Sequence, residues 1–592
     1  LIEPRIYRAA FVPALLAVVL VMFSLESRPR PLPQGLAADV LFDGEQAASA
    51  ARQMVSEHPD RRAGTVGADL VAEEVADGFR SRGLAVERRE FKQDERELVN
   101  VIGRRPGSSR RQIVVVAARD AAGVPDGPGS AADTAALLEI ARVYEGRPSR
   151  KTLVLASVDG SALGQLGARH LAENGLGDPE LVDAVLVISS LGAAGEQEPS
   201  ILTWGGGVDR TGIGLYRTVA ASLREEVGAP AAQASPLGQL ARLAFPLGLG
   251  AQGPLLAEGY DAVRISGDGE RAPDAHDARS SEVDAERLDA LGRAALRTIA
   301  ALDQGPRPAG PPRAYVTVAS QVMPGWVFGI LAVTLILPAL VASIDAFARA
   351  RRRRVAVGPW LAWLAAGAAP FLIGLGLAHA LVLVGAAPEP PSSPVAPDLY
   401  PLDSGGLAVL GAVAAAMALS WIGLRRLALR LDPELSDPGL PGAAVAIALV
   451  LSAAAIVLWL IQPYAALLAV PAVHLWILAT LVDTPLPRRL RLTMVLAGLL
   501  LPTLLVVYQL FLLGVGPLGG AWYLFLLLTG GHIGFGTIAV GATFAAAFAS
   551  VLGILRRGGP DDEDPPGQAT TRGPLSYAGP GSLGGTDSAL RR

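Results

Sequence analysis

Residues 114–142 read VVVAARDAAGVPDGPGSAADTAALLEIAR, and the three parts of this stretch decide the fold. Residues 114–118 form an unbroken apolar run rich in Val, the pattern of a strand buried on both faces. The middle, 119–130, concentrates Asp, Gly and Pro, which favour loop conformations. From 134 to 144 apolar residues recur at helical spacing. A buried strand, a Gly- and Asp-rich loop and an amphipathic helix in that order form the repeating unit of an α/β domain.

The same alternation extends to both sides. Helical periodicity is expected at 47–56, 69–82, 163–173, 212–226 and 283–302, and short aliphatic or β-branched runs of strand length at 98–103, 112–117, 152–157 and 184–189. This order predicts a mostly parallel sheet flanked by helices over residues 36–304, with its functional loops at the carboxyl ends of the strands.

The rest of the chain belongs to another solvent. Half of all residues are hydrophobic (51%) and only 18% are charged, so an α/β domain must be joined to a membrane bundle. An apolar run at 9–25 follows Arg5 and Arg8, and no small-residue cleavage site follows it, so 1–29 reads as a tail and uncleaved anchor. Seven further spans are expected near 326–347, 359–385, 405–424, 441–461, 464–482, 492–513 and 521–555, making 326–557 an all-α polytopic membrane domain. The last stretch is too long for one helix and contains Gly530 and Gly531, which predicts a break. Residues 305–325, beginning GPRPAGPPR, read as a stiff linker, and 558–592 as a disordered tail with an acidic cluster at Asp561, Asp562, Glu563 and Asp564.

Orientation follows from Arg. Placing Arg5 and Arg8 inside puts residues 30–325 outside, and then Arg349 to Arg354, Arg425, Arg426, Arg430, Arg488, Arg489, Arg491, Arg556 and Arg557 all fall in inside loops. The outside loops 386–404 and 514–520 contain no Arg or Lys. Eight spans, with both termini cytoplasmic at the cell membrane, satisfy every loop. Lys occurs only at Lys92 and Lys151, a usage typical of a G+C-rich bacterial source. The absence of Cys excludes disulfides and thiolate metal sites, and a net charge of −4 gives no basis for a nucleic-acid partner.

Several short motifs resemble the clan MH di-zinc aminopeptidases. Residues 58–65, HPDRRAGT, are similar to the family's opening Arg-x-Gly-Thr segment, and Asn100-Val101-Ile102-Gly103 to its Asn-Val-Ile-Gly strand. The helix TAALLEIAR at 134–142 resembles the one that follows the family's metal loop, and Leu166-Gly167-Ala168-Arg169 resembles its Leu-Gly-Ser-Arg. The resemblance covers nearly all of the α/β region and implies an aminopeptidase-like fold.

It also implies where the metal ligands would stand. The first His falls on Ala118 (one residue out of register, on Arg119), with Asp120 retained as its partner. The bridging Asp falls on Gly129, the Glu-Glu pair on Ser161 and Ala162, and the next Asp on Ser189. Among the ligands, the last His alone has a counterpart, His276, and one His with a displaced Asp does not make a two-metal site. No catalytic residue, metal or other cofactor is therefore expected. Asp120 and Asp159 read as loop-capping groups at strand ends, His276 as a surface loop residue, and His379, His474 and His532 as helix-packing groups.

The layout is similar to that of the large membrane subunit of the glycosylphosphatidylinositol transamidase. That likeness implies a binding or scaffolding role: a pseudopeptidase whose external domain recognises a peptide, an amine-bearing ligand or a partner protein, alongside its lipid-bilayer environment. Two other readings stay open from sequence. One is an active zinc aminopeptidase with its ligands elsewhere; the other is a transporter or lipid-handling protein with an accessory external domain.

Overall fold

The computed structural model describes residues 3–33, 41–93, 96–194, 198–228, 234–269, 279–319, 321–436, 441–480 and 487–557. His276, the expected start of the α/β domain at 36–40 and the tail 558–592 lie outside the described residues.

The chain opens with α1 (Pro4–Ala9), α2 (Val12–Phe23) and a two-residue strand, β1 (Glu26–Ser27). The α/β domain then runs α3 (Gly44–Glu57), α4 (Val66–Ser81), β2 (Ala85–Gln93), β3 (Arg96–Arg105), β4 (Ser109–Ala118), α5 (Ala132–Val143), β5 (Lys151–Val158) and α6 (Leu166–His170). It continues with β6 (Val182–Ser189), β7 (Ser200–Leu202), α7 (Ile213–Val227), α8 (Pro236–Ala244), α9 (Gln252–Ala257), β8 (Ala262–Ser266) and α10 (Ala285–Gln304). Helix starts are set by side-chain caps: Asp43 accepts from Gln46 N, Thr65 from Ala68 N and Asp284 from Arg287 N. Each such cap contributes about 1 kcal/mol.

Seven strands form one sheet in the order β2-β3-β5-β4-β6-β8-β7. The centre, β5-β4-β6-β8, is parallel, while β2, β3 and β7 join antiparallel at the flanks. Strand β4 shows why both faces are covered. Its Ile113, Val115 and Ala117 enter the core shared with α3, α4, α5, α7 and α10, and the alternate Val114 and Val116 enter the core beside α6 and α9.

Strands β2, β7 and β8 and helices α8 and α9 have no counterpart in the expected elements. Edge strand β2 (AVERREFKQ) carries no buried apolar run, and β8 is a five-residue strand with an Arg at its centre. The expected linker 305–325 also needs correction. It contains the hairpin β9 (Tyr315–Val318) and β10 (Gln321–Pro324), which pairs with β1 into a second sheet. Tyr315 and Val322 are buried in the α/β core, so this segment is packed structure and not a free spacer.

The helical region comprises α11 (Gly325–Arg352), α12 (Gly358–Leu383), α13 (Ser404–Leu431), α14 (Pro441–Ile461), α15 (Pro463–Ala479), α16 (Arg488–Leu513), α17 (Pro517–Thr529) and α18 (Phe535–Arg557). Among the described residues, 7 helices are long and apolar enough to cross a membrane: the N-terminal Arg5–Phe23, α11, α12, α13, α14, α16 and α18. The expected span at 464–482 corresponds to α15, a shorter apolar helix of 17 residues, about 25 Å long, and residues 481–486 beyond it lie outside the described residues. The α/β domain covers the start of α15, where Leu243 and Ala244 at the close of α8 pack with Tyr464 and Leu468. Residues 521–555 are two helices, α17 and α18, separated by a turn in which Gly531 takes a left-handed φ of 72°.

Candidate functional site

The five positions to which the sequence resemblance assigned ligands converge. Ala118 ends β4, Gly129 lies in the loop before α5, Ser161 and Ala162 follow β5, and Ser189 ends β6. All five, with Asp120, line one cavity of about 120 Å³ at the carboxyl ends of the central strands. The two alternatives at the first position differ in where their side chains go. Ala118 faces the cavity, whereas Arg119 turns into the core and donates to Val99 O (2.6 Å), Ala68 O (3.2 Å) and Asp159 Oδ2 (3.1 Å).

The cavity's carboxylates hold the loops that form it. Asp120 accepts from the backbone N–H groups of Ser161 (2.9 Å) and Ala162 (3.2 Å), clamping the turn after β5. Asp133, on α5, accepts from Ser190 N (2.9 Å) and Leu191 N (3.0 Å), clamping the turn after β6. Asp126 accepts from Ser130 N at 3.2 Å. Burial raises all three carboxyl groups, Asp133 to about 8, and the charge of Asp159 adds to the rise at Asp120. Asp159 caps backbone too, accepting from Val99 N and Gly160 N beside the buried pair Asn100 and Gly167. A Cβ on Gly167 would run into Asp159 O and Asn100 Oδ1, which is why the Leu-Gly-Ala-Arg motif needs glycine there.

Sequence reasoning did not single out Asp126 or Arg264. Asp126 sits in the left-handed region (φ 52°), uncommon for a non-glycine residue and tolerated by Asp. Its carboxylate fills the space above Gly129, where a Cβ would strike Asp126 Oδ1. The space that a side chain at position 129 would need is thus occupied by a residue three positions earlier. Arg61, fully buried, holds this loop by donating to His58 O (2.9 Å), Pro125 O (2.8 Å), Asp126 O (3.2 Å) and Ser130 Oγ (3.2 Å). Arg264, at the centre of β8, is buried in the cavity wall with Nε unpartnered. Burial lowers it to about 10, opposed by the charges of Asp268 and Asp133. A charged residue inside a five-residue apolar strand was the available signal.

The lining, among the described residues, includes no His or Glu, and the carboxylates of Asp120, Asp126 and Asp133 accept from backbone N–H groups. Among the described residues, the one set of three His or acidic side chains with ligand atoms within 4.8 Å of one another is Glu57, His58 and Glu74, on α3 and α4 outside the cavity.

The outer wall of the cavity comes from the helical region. Val395, Ala396 and Leu399, in the connection between α12 and α13, complete the lining. That connection is bonded to the rim: Ser392 Oγ donates to Leu163 O (3.1 Å), Ser393 Oγ to Gly164 O, and Arg169 Nη2 to Ser392 O (3.0 Å). On its other side Tyr523 OH donates to Val395 O (2.8 Å), Trp522 Nε1 to Tyr400 O (3.0 Å), and His532 Nε2 lies 2.9 Å from Pro391 O. His474 likewise meets the Leu335 carbonyl through Nε2 at 2.8 Å, and His379 meets Leu375 O through Nδ1 at 3.0 Å.

No protein-family model matches the chain, and no curated protein matches it significantly. Among solved structures it is similar to a glutaminyl cyclase from an Acidobacteriales bacterium (17% identity, TM-score 0.36, covering 47% of this chain and 99% of that one). It is also similar to the zinc aminopeptidase of Bacillus subtilis (14% identity, TM-score 0.37, covering 46% and 95%). A third is a Zn-dependent exopeptidase from Parabacteroides distasonis (14% identity, TM-score 0.34, covering 44% and 98%).

Proposed function

We propose that this is a non-catalytic membrane protein, a pseudopeptidase, whose external α/β domain binds a peptide end, another amine-bearing ligand or a partner protein in the cleft described above. One observation carries the reading. Five ligand positions implied by the resemblance meet at a single cavity and present only Ala, Gly and Ser. The space that a bridging carboxylate would need is filled by Asp126, whose own carboxylate is engaged with Ser130 N. Water activation needs a free base beside a metal, and Asp120, Asp126 and Asp133 instead hold the walls of the cleft.

The test is metal analysis of the purified full chain together with hydrolysis of L-leucine amide, followed by thermal melting with L-leucinamide as probe. The expected result is no tightly held zinc, no hydrolysis and a rise in melting temperature with the amine. Stoichiometric zinc accompanied by chelator-sensitive hydrolysis would establish an active enzyme and overturn the reading.

A further inference from the structure

A second cavity, of about 430 Å³, lies inside the helical bundle and has no part in the cleft. It is lined by the starts of α12 and α14 and the ends of α13 and α18, with Leu435 and Ser436 at one side. Helix α11 leaves the α/β domain at Gly325 and runs to Arg352, so these helix ends lie at the far, Arg-rich end of the bundle.

The cavity is divided chemically. Trp360, Leu364, Ile447 and Leu552 supply an apolar interior. At its edge the Arg425 guanidinium carbon stands 3.8 Å from the Trp363 ring centroid and 4.7 Å from that of Trp421. It lies close against α12 because residue 367 is glycine; a Cβ there would come 2.5 Å from Arg425 Nη2. The aromatic rings leave the cation short of an anion. Among the described residues, Nη1 is buried without a hydrogen-bond partner. Arg556, also lining the cavity, brings a second guanidinium.

We infer that this cavity is a binding site for an anionic phospholipid of the leaflet at the Arg-rich end of the bundle. The phosphate answers the unpartnered Nη1 of Arg425 and the charge of Arg556, and an acyl chain fills the apolar interior. Basic pockets between spans at this depth take anionic head groups, and an exposed Trp belt alone would not explain an internal cavity with a buried, unsatisfied guanidinium. Free phosphate would leave the apolar walls unfilled. A zwitterionic head group would bring its own cation to a site that already holds two.

The experiment uses the full-length protein in detergent, with phosphatidylglycerol or phosphatidylcholine added and retention read by native mass spectrometry. One phosphatidylglycerol per chain is expected to survive, with phosphatidylcholine retained at least tenfold less. Arg425→Gln should lose at least tenfold in retention, and Arg426→Gln, at the next position of α13, should lose nothing. Gly553→Phe gives a second, charge-neutral arm. Gly553 lines the cavity, and a Cβ there meets nothing within 4 Å, so the ring enters open space and should also abolish retention. Equal retention by Arg425→Gln and Arg426→Gln, no preference for the anionic lipid, or displacement by millimolar inorganic phosphate would each overturn the lipid site. Retention unaffected by Gly553→Phe would place any bound lipid elsewhere.

Discussion

Val395, Ala396 and Leu399 belong to the outer wall of the cleft, and if that wall acts as a gate, a ligand from solution reaches Ser189 when the segment 391–399 lifts. Two hydroxyl donors hold it to the rim: Ser392 Oγ on Leu163 O and Ser393 Oγ on Gly164 O. The substitutions Ser392→Ala and Ser393→Ala together remove both bonds and leave the anchoring from Tyr523 and Trp522 intact. At about 1 kcal/mol per hydrogen bond, the pair is worth about 2 kcal/mol, a factor of roughly 30 in the opening equilibrium. The chain contains no Cys, so Ser189→Cys creates a single thiol on the cavity wall. Its labelling by a maleimide, in the regime where closing outpaces reaction, reports the open fraction directly. The expected outcome is labelling in the triple variant roughly 30-fold faster than in Ser189→Cys alone. Equal rates would refute the wall as a gate, as would a Ser189→Cys rate matching that of a fully exposed thiol.

Arg61→Ala should destabilise the α/β domain by about 3–5 kcal/mol, since it leaves four buried or half-buried acceptors without their donor; denaturant unfolding of the full chain within experimental error of the parent would disprove the clamp. Burial raises Asp133 from an ordinary 3.8 to about 8, so its protonated form stabilises the fold fully below pH 4, and that contribution is lost as pH rises through 8. Melting temperature should therefore fall across this window, less steeply in Asp133→Asn; identical slopes would remove Asp133 as the source. Reporters fused after Arg354, Arg430, Arg491 or Arg557 should lie on the cytoplasmic side and one after Pro391 on the opposite side, because Arg-rich flanks resist translocation. A reporter after Arg557 on the same side as Pro391 would break the proposed orientation.

Local pattern alone determined a good deal. The run 114–118, its Gly- and Asp-rich loop and the helix after it sit in the structure as β4, the loop carrying Gly129, and α5, because strand and helix periodicities are properties of neighbouring residues. The absence of His and carboxylate at 118, 129, 161, 162 and 189 is likewise a matter of residue type. That these five positions share one cavity is tertiary, since they come from three strand ends and a loop up to 71 residues apart that only sheet pairing brings together. The expected span at 464–482 is the 17-residue helix α15, and only the fold shows that α8 covers its start. Asp126 over Gly129, Arg264 in the wall and the segment 395–399 across the mouth were illegible in sequence. Each depends on close approach between residues whose spacing carries no periodic signal, and burial, which decides their charge and partners, exists only once the chain has folded.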